Sequence, residues 1–155
     1  MTLVPSIGTI KDTGTPKGRG VFATRTIAAN EIIEICPVIK ISTSFEQLPP
    51  EFQRIVFHWG ALAQQAHISA LALGYGMIYN HDNPANARYK ASPDGDVLIF
   101  TAARAIQKDE EITINYNATA GEPVSTADNW FQTTGVAPYI AGPSSEDDSS
   151  PGKAA

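Results

Sequence analysis

The sequence is poor in cysteine and has no long apolar run. One cysteine, Cys36, among 155 residues excludes a disulfide within the chain and a zinc site built from several cysteines. No run approaches the roughly 20 apolar residues that a membrane-spanning helix needs. Residues 1–10 lack a basic segment followed by an apolar one, so we expect no signal peptide. These absences predict a cytoplasmic or nuclear protein.

Basic residues are fewer than acidic ones. The 11 lysine and arginine residues against 16 aspartate and glutamate residues give a net charge of −5. This balance argues against binding to duplex DNA, because phosphate contacts require cations, and it suits a basic protein partner. The length fits one domain, predicted at residues 1–140 with a core at about 18–131. Residues 141–155 are predicted to form a disordered acidic tail.

Short strands dominate the predicted secondary structure. The run 32–41 is rich in β-branched residues, which favours a strand. Three shorter strands are predicted at 21–23, 96–103 and 111–116. The pattern indicates an α+β domain that is mostly β.

One helix and one buried extended segment complete the prediction. Pro49-Pro50 is suited to begin a helix, and apolar residues at helical spacing extend its inner face towards Gln65. These residues are Phe52, Ile55, Val56 and Trp59. Residues 71–79, with Gly74 and Gly76, are predicted to be extended and buried.

Three short motifs are candidates for chemistry. Gly18-Arg19-Gly20 precedes a strand, where two glycines let the backbone approach a ligand, although ordinary turns have the same composition. Asn80-His81 opens an asparagine-rich run that ends at Asn86, and its histidine fits a metal ligand, a catalytic base or a core residue. Residues 109–116 form a charged turn followed by a strand that ends in tyrosine. Each motif alone is weak evidence for a site.

The order and spacing of these motifs resemble the SET domain from about Gly18 to Trp130. A glycine-rich turn enters a Val-Phe-Ala strand, Asn-His follows, and Glu-Glu-Ile-Thr with its tyrosine comes about thirty residues later. Residues 69–81 look especially like the small SET proteins of large DNA viruses and their bacterial counterparts, which lack cysteine-rich flanking modules. The resemblance implies several small β-sheets with a knot-like crossing and a short helical insert. It also implies a protein lysine methyltransferase that uses S-adenosylmethionine and no metal.

The resemblance assigns one group of residues to the methyl donor. Asn80 and His81 match the donor-binding pair of the family, and Trp130 matches the aromatic residue that covers the adenine. The donor site is implied to be lined, largely through backbone atoms, by Gly18, Arg19 and Gly20. Lys17 or Arg19 is expected to meet the donor carboxylate.

A second group is assigned to catalysis and to the target lysine. Tyr116 matches the catalytic tyrosine, and Tyr75 and Tyr89 are implied to line the lysine channel with it. An aromatic channel beside a sulfonium lowers the pKa of the lysine amine, because desolvation and like charge both disfavour the ammonium form. Positioning of the two reactants is expected to supply much of the rate.

The sequence departs from the family pattern in the last two motifs. Asp82 stands where relatives usually carry serine, Pro84 comes one place early, and Asn115 replaces an aspartate before the tyrosine. The residues matched to donor binding and catalysis are retained, so we expect activity to survive these changes.

Other functions fit the sequence less well. A SET-like module without catalysis would bind a lysine peptide or the donor and transfer nothing. A metal hydrolase would need His58, His67 and His81, whose spacing is poor for a metal site. An interaction protein would use the acidic tail. For the methyltransferase, a lysine in a basic tail such as a histone tail is the expected substrate, and a homodimer is compatible with the resemblance.

Overall fold

The computed structural model describes residues 2–65, 68–118 and 120–139. The predicted tail at 141–155 and His67 of the alternative metal site lie outside the described residues. The strands within them are β1 (Gly8–Asp12), β2 (Arg19–Ala23), β3 (Ile32–Ile41), β4 (Phe57–His58), β5 (Ser69–Ala72), β6 (Asn80–His81), β7 (Ala87–Ala91), β8 (Val97–Ala102) and β9 (Glu111–Ile114). The α-helices are α1 (Pro50–Gln53), α2 (Trp59–Ala63) and α3 (Asn129–Thr134), and Phe45–Gln47 form a 3-10 turn.

The strands form two sheets. One has the order β1-β2-β9-β6 and the other has the order β4-β5-β3-β8-β7. Neighbouring strands are antiparallel except for β6 and β9, which run parallel. This architecture confirms the predicted α+β class with a majority of β structure.

The inner face of the five-stranded sheet carries the main core. Leu98, Phe100 and Ala102 alternate inward along β8. The alternate residues Val97 and Ile99 are also buried, in a smaller apolar cluster with Ile35. The predicted strand at 32–41 is confirmed as β3. Cys36 on this strand is 2% exposed, and burial raises the pKa of its thiol to about 12, so it packs as a small apolar residue.

The single helix predicted from Pro49 towards Gln65 is wrong. The segment forms the short helix α1, then the two-residue strand β4, then the short helix α2. Phe57 and His58 pair with Ala70 and Ser69 of β5, so sheet pairing overrides the helical spacing at the centre of the segment. Two of the four apolar residues of the predicted helix face, Val56 and Trp59, are buried. The other two, Phe52 and Ile55, are exposed.

The buried extended segment predicted at 71–79 is also only partly correct. The strand β5 ends at Ala72, and the chain then turns through residues 73–78 before β6. Gly74 has φ of +69°, a conformation that glycine adopts readily. None of the helices within the described residues has the length and apolar character to cross a bilayer.

Candidate functional site

The parallel pair of β6 and β9 brings together two distant parts of the sequence. Asn80 lies beside Thr113 and His81 beside Ile114. Asn86 holds the neighbouring turn, because its Oδ1 accepts the Thr113 N–H at 2.8 Å and its Nδ2 donates to the Glu111 carbonyl at 2.7 Å. Asn86 is 3% exposed, and its bond with Thr113 is shielded from water. The Asn-His motif and the strand before Tyr116 are therefore fixed side by side.

A polar cluster joins this pair to the glycine-rich turn. Asn80 Nδ2 donates to the Arg19 carbonyl at 2.8 Å and to Glu111 Oε1 at 2.7 Å. The other carboxylate oxygen of Glu111 accepts Lys17 Nζ at 2.7 Å in a largely buried ion pair. A Cβ on Gly20 would fall 2.4 Å from Glu111 Oε1, so glycine at this position lets the carboxylate lie close to the backbone without being displaced. The structure thus brings all three sequence motifs into one cluster.

His81 holds the backbone of Tyr116. Its Nδ1 accepts the Tyr116 N–H at 3.0 Å, which fixes a neutral imidazole with its proton on Nε2. Burial lowers the pKa of His81, Asp82 raises it and Lys17 lowers it further. The neutral form is therefore the one that the site favours near neutral pH. His81 serves here as an acceptor that positions Tyr116.

Aromatic rings from α3 close this side of the site. The Trp130 ring centre lies 4.7 Å from that of Tyr116, and the Phe131 ring meets the edge of His81 at 4.8 Å. The backbone N–H of Trp130 donates to Asn117 Oδ1 at 3.0 Å, which ties the start of the helix to the segment that follows β9. Helix α3 was not predicted, although Trp130 within it was singled out.

The Tyr116 side chain reaches into a cavity of about 590 Å³. Its hydroxyl donates to the Tyr79 carbonyl at 2.5 Å, and burial raises its pKa well above the ordinary range, so the phenol stays protonated. Tyr89 also lines the cavity, with its hydroxyl 3.3 Å from the Asn115 carbonyl. Tyr75 is not among the lining residues. Tyr116 and Tyr89 thus meet at one cavity, and Tyr75 lies apart from it.

Several site residues were not found from the sequence. Glu111 was seen only as part of a charged turn, and Asn86 only as part of a loop. Tyr79 was placed in an extended segment, although its carbonyl faces Tyr116. Glu34 lies on β3 and is 3% exposed. A charged residue is rarely buried without a partner. A glutamate inside the apolar run of β3 therefore indicates a specific contact, which hydrophobic periodicity alone does not detect.

The replacement of the usual aspartate by Asn115 is accommodated by the amide. Its Oδ1 accepts the Asn117 N–H at 2.9 Å, and its Nδ2 lies 3.2 Å from Ser125 Oγ. Asn115 is fully buried, and an amide can both accept and donate there. The turn after β9 is therefore hydrogen-bonded with asparagine in place of the usual aspartate.

Comparison with known proteins agrees with this fold and site. Residues 18–117, more than half of the chain, match the SET domain family model. The chain belongs to the SET-domain family.

Named relatives of the chain are methyltransferases. A histone-lysine N-methyltransferase of Schizosaccharomyces pombe, specific for H3 lysine 37, is 34% identical over 100 residues, which are 64% of this chain and 67% of the relative. A Plasmodium falciparum protein provisionally described as a histone methyltransferase is 31% identical, with a TM-score of 0.57 over 73% of this chain and 95% of that one.

A more distant structure agrees in fold alone. A humanized mutant of the Chaetomium thermophilum Polycomb Repressive Complex 2 bound to the inhibitor GSK126 has a TM-score of 0.59 at 21% identity. The match covers 77% of this chain and 16% of that chain. Family membership and the similar enzymes support lysine methyltransferase activity.

Proposed function

We propose that the protein transfers a methyl group from S-adenosylmethionine to a lysine side chain of a basic protein tail, such as a histone tail. One observation carries this proposal. Tyr116 presents its hydroxyl to a cavity, and its backbone N–H donates to His81. Asn80, which precedes His81, binds the Arg19 carbonyl of the glycine-rich turn. A lysine side chain in the cavity and a donor beside the turn would meet at this tyrosine.

The residues around the turn fit such a donor. Gly18 has φ of +75°, and no atom lies within 4 Å of the position that a Cβ would take, so there is open space beside the turn. Lys17 is occupied by Glu111, whereas Arg19 is exposed and makes no ion pair within the described chain. Arg19 is therefore the better candidate for the donor carboxylate.

The two aromatic residues of α3 complete the donor site. Trp130 and Phe131 are half-buried against Tyr116 and His81 and offer flat apolar surface to an adenine ring. When bound, the donor supplies a methyl group attached to its sulfur. The lysine nitrogen loses its proton to solvent and, in its neutral form, bonds to the methyl carbon. The methyl–sulfur bond breaks at the same time and leaves its electron pair on sulfur.

The cavity residues prepare the lysine amine for this attack. Phe57, Tyr89 and Met77 are among its apolar lining residues, and burial among them lowers the pKa of an entering ammonium because the charged form loses hydration. The Tyr116 hydroxyl and the Tyr79 carbonyl supply polar atoms at one end. These groups orient the amine, and positioning of this kind accounts for a large part of catalysis.

Replacement of Tyr116 tests the proposal. The native protein and Tyr116→Phe would be incubated with methyl-labelled S-adenosylmethionine and a panel of histones, ribosomal proteins and lysate. We expect label on lysine with the native protein and a loss of about a hundredfold in kcat in the variant, as when one transition-state hydrogen bond is removed. Mass spectrometry would locate the modified lysine.

Tyr139→Phe is the matched control, because this tyrosine is exposed and lies outside the cavity lining. It should retain native activity. Donor binding without any transfer to the panel would favour a non-catalytic SET-like module, and no donor binding would refute the proposed function.

A further inference from the structure

Glu34 is a buried carboxylate that holds the turn leading into the site. It lies on β3 next to an irregularity in the pairing with β8 and is 3% exposed. Its Oε1 accepts the Tyr75 N–H at 2.9 Å, and its Oε2 accepts the Tyr79 hydroxyl at 2.7 Å. A Cβ on Gly74 would fall 2.3 Å from Oε1, so the turn packs closely on the carboxylate. The turn is thus tethered at its third residue and just after its last.

The charge of Glu34 is not explained by an ion pair. No lysine, arginine or histidine in the described parts of the chain forms a salt bridge with it. Burial raises the pKa of Glu34, and the bonds from Tyr79 and Tyr75 offset part of that rise. Burying a carboxylate without a cation is costly. An apolar residue would fill this strand position at a lower cost, so the carboxylate needs another reason to be there.

The contacts of Tyr79 provide that reason. One end of this residue is fixed, because its hydroxyl donates to Glu34 and also lies 2.8 Å from Ser6 Oγ. Its backbone carbonyl accepts the hydroxyl of Tyr116. The next residue, Asn80, begins the strand that pairs with β9. A shift of the Tyr79 ring would therefore move the carbonyl at the cavity.

We propose that Glu34 is a positioning residue for methyl transfer, which acts by fixing Tyr79 so that its carbonyl oxygen stays against the Tyr116 hydroxyl. This inference rests on the proposed function. Glu34 itself lies outside the cavity lining and need not touch either substrate. Its contribution should appear in the rate of the reaction, because misplacement of reacting groups by about 1 Å can cost about a hundredfold.

Two single variants and their combination test the role of Glu34. Glu34→Gln removes the charge at nearly constant size, and Tyr79→Phe removes the hydroxyl and keeps the ring and the carbonyl. We expect each to lower kcat by about tenfold or more, with KM for the donor and for the peptide changed by less than about threefold. The double variant should lose little more than either single one, because both break the same link.

Glu31→Gln is the matched control. Glu31 lies three residues earlier and, like Glu34, accepts one side-chain and one backbone hydrogen bond. Its donors are the N–H groups of Arg25 and Ala28, and its side chain is 31% exposed. This control should keep native kcat. Thermal melting and donor affinity of all variants would be measured alongside. Glu34→Gln and Tyr79→Phe both change a buried hydrogen bond, so a lower melting temperature is expected, whereas donor affinity should stay close to native.

The possible outcomes separate this inference from the proposed function. An active native protein with native kcat in both variants would refute the role of Glu34 and leave the proposed function intact. Parallel losses of kcat, donor affinity and melting temperature in both variants would show a merely structural role and refute the inference. An inactive native protein would refute the proposed function, and the role of Glu34 in methyl transfer with it.

Discussion

Different interactions hold the strands of the two sheets in place. The five-stranded sheet buries large apolar side chains, and Phe100 on β8 contacts the rings of Tyr79 and Tyr89. The four-stranded sheet is joined at β6 and β9 by side chains that bind backbone groups, namely those of Asn86 and His81. Apolar burial tolerates small shifts, whereas a hydrogen bond fixes both distance and direction. Both sheets contribute apolar residues to the core, with Val21, Ile112 and Ile114 coming from the four-stranded sheet. The hydrogen bonds that join β6 to β9 are what distinguish that sheet, and they set the geometry of the site.

Replacement of Phe100 should have the largest effect on folding. Phe100→Ala removes a fully buried ring and is expected to lower the free energy of unfolding by about 3–5 kcal/mol. Urea denaturation would measure this loss. Phe52→Ala, at a position 41% exposed, should cost less than about 1 kcal/mol. Equal losses at the two positions would contradict the assignment of the core.

Replacement of Asn86 tests the four-stranded sheet. Asn86→Ala leaves the Thr113 N–H and the Glu111 carbonyl without this partner, at about 1–3 kcal/mol for each buried group. We expect activity to fall further than in a core variant of equal stability, because β6 moves relative to β9. Gln107→Ala is the control and should change both quantities little, because this amide is exposed and its side chain forms no hydrogen bond within the described residues. If Asn86→Ala and a core variant of equal stability lost the same activity, the proposed difference between the two sheets would be refuted.

Arg19 and Lys17 should differ in their contributions to donor affinity. Arg19→Met is expected to weaken binding by about tenfold, the loss of one charge-assisted hydrogen bond. Lys17→Met should have a smaller effect, because Lys17 is occupied by Glu111. Calorimetric titration with S-adenosylhomocysteine would measure both affinities, with Lys108→Met as an exposed control. The reverse order would show that Lys17 meets the donor carboxylate.

The smallest expected effect is on the pH dependence of folding. The pKa of folded His81 lies below its ordinary value of 6.5, so folding favours the neutral form. The stabilisation of the folded protein by neutral His81 is complete above the ordinary pKa of 6.5. It is lost as the pH falls through the lower pKa of His81 in the folded protein. Burial also lowers the pKa of His58, so the native protein must be compared with His81→Gln. The variant should lose less stability on acidification, and an identical loss in melting experiments would exclude this role for His81.

Part of this organisation could be predicted from the sequence. The strand at 32–41 was found because its β-branched residues signal a strand directly. The motifs around Asn80 and Tyr116 were found because their order resembles the family. The strand β7 was missed because its outward residues, Arg88 and Lys90, alternate with alanine and tyrosine and give a weak apolar pattern. Local patterns report which face is apolar but not which distant strand it meets.

Contacts over long sequence separations account for the remaining errors. Asn86 binds the backbone 25 and 27 residues later, and Glu34 binds Tyr75 and Tyr79 across 41 and 45 residues. No local spacing encodes such pairs. The predicted helix after Pro49 failed for the same reason, because pairing of Phe57 with Ala70 decides the structure there. Residues that hold the site from a distance were therefore the hardest to predict.

The parallel pairing of β6 with β9 also has a consequence for the order of folding. Between the two strands lies the hairpin of β7 and β8, whose contacts are local and can form early. That hairpin shortens the effective loop that must close before Asn80-His81 meets β9. The N–H groups of Asp82 and Tyr116, which bind the Ile114 carbonyl and His81 Nδ1, should then gain protection from hydrogen exchange later than those of the hairpin. The site would thus assemble after this hairpin.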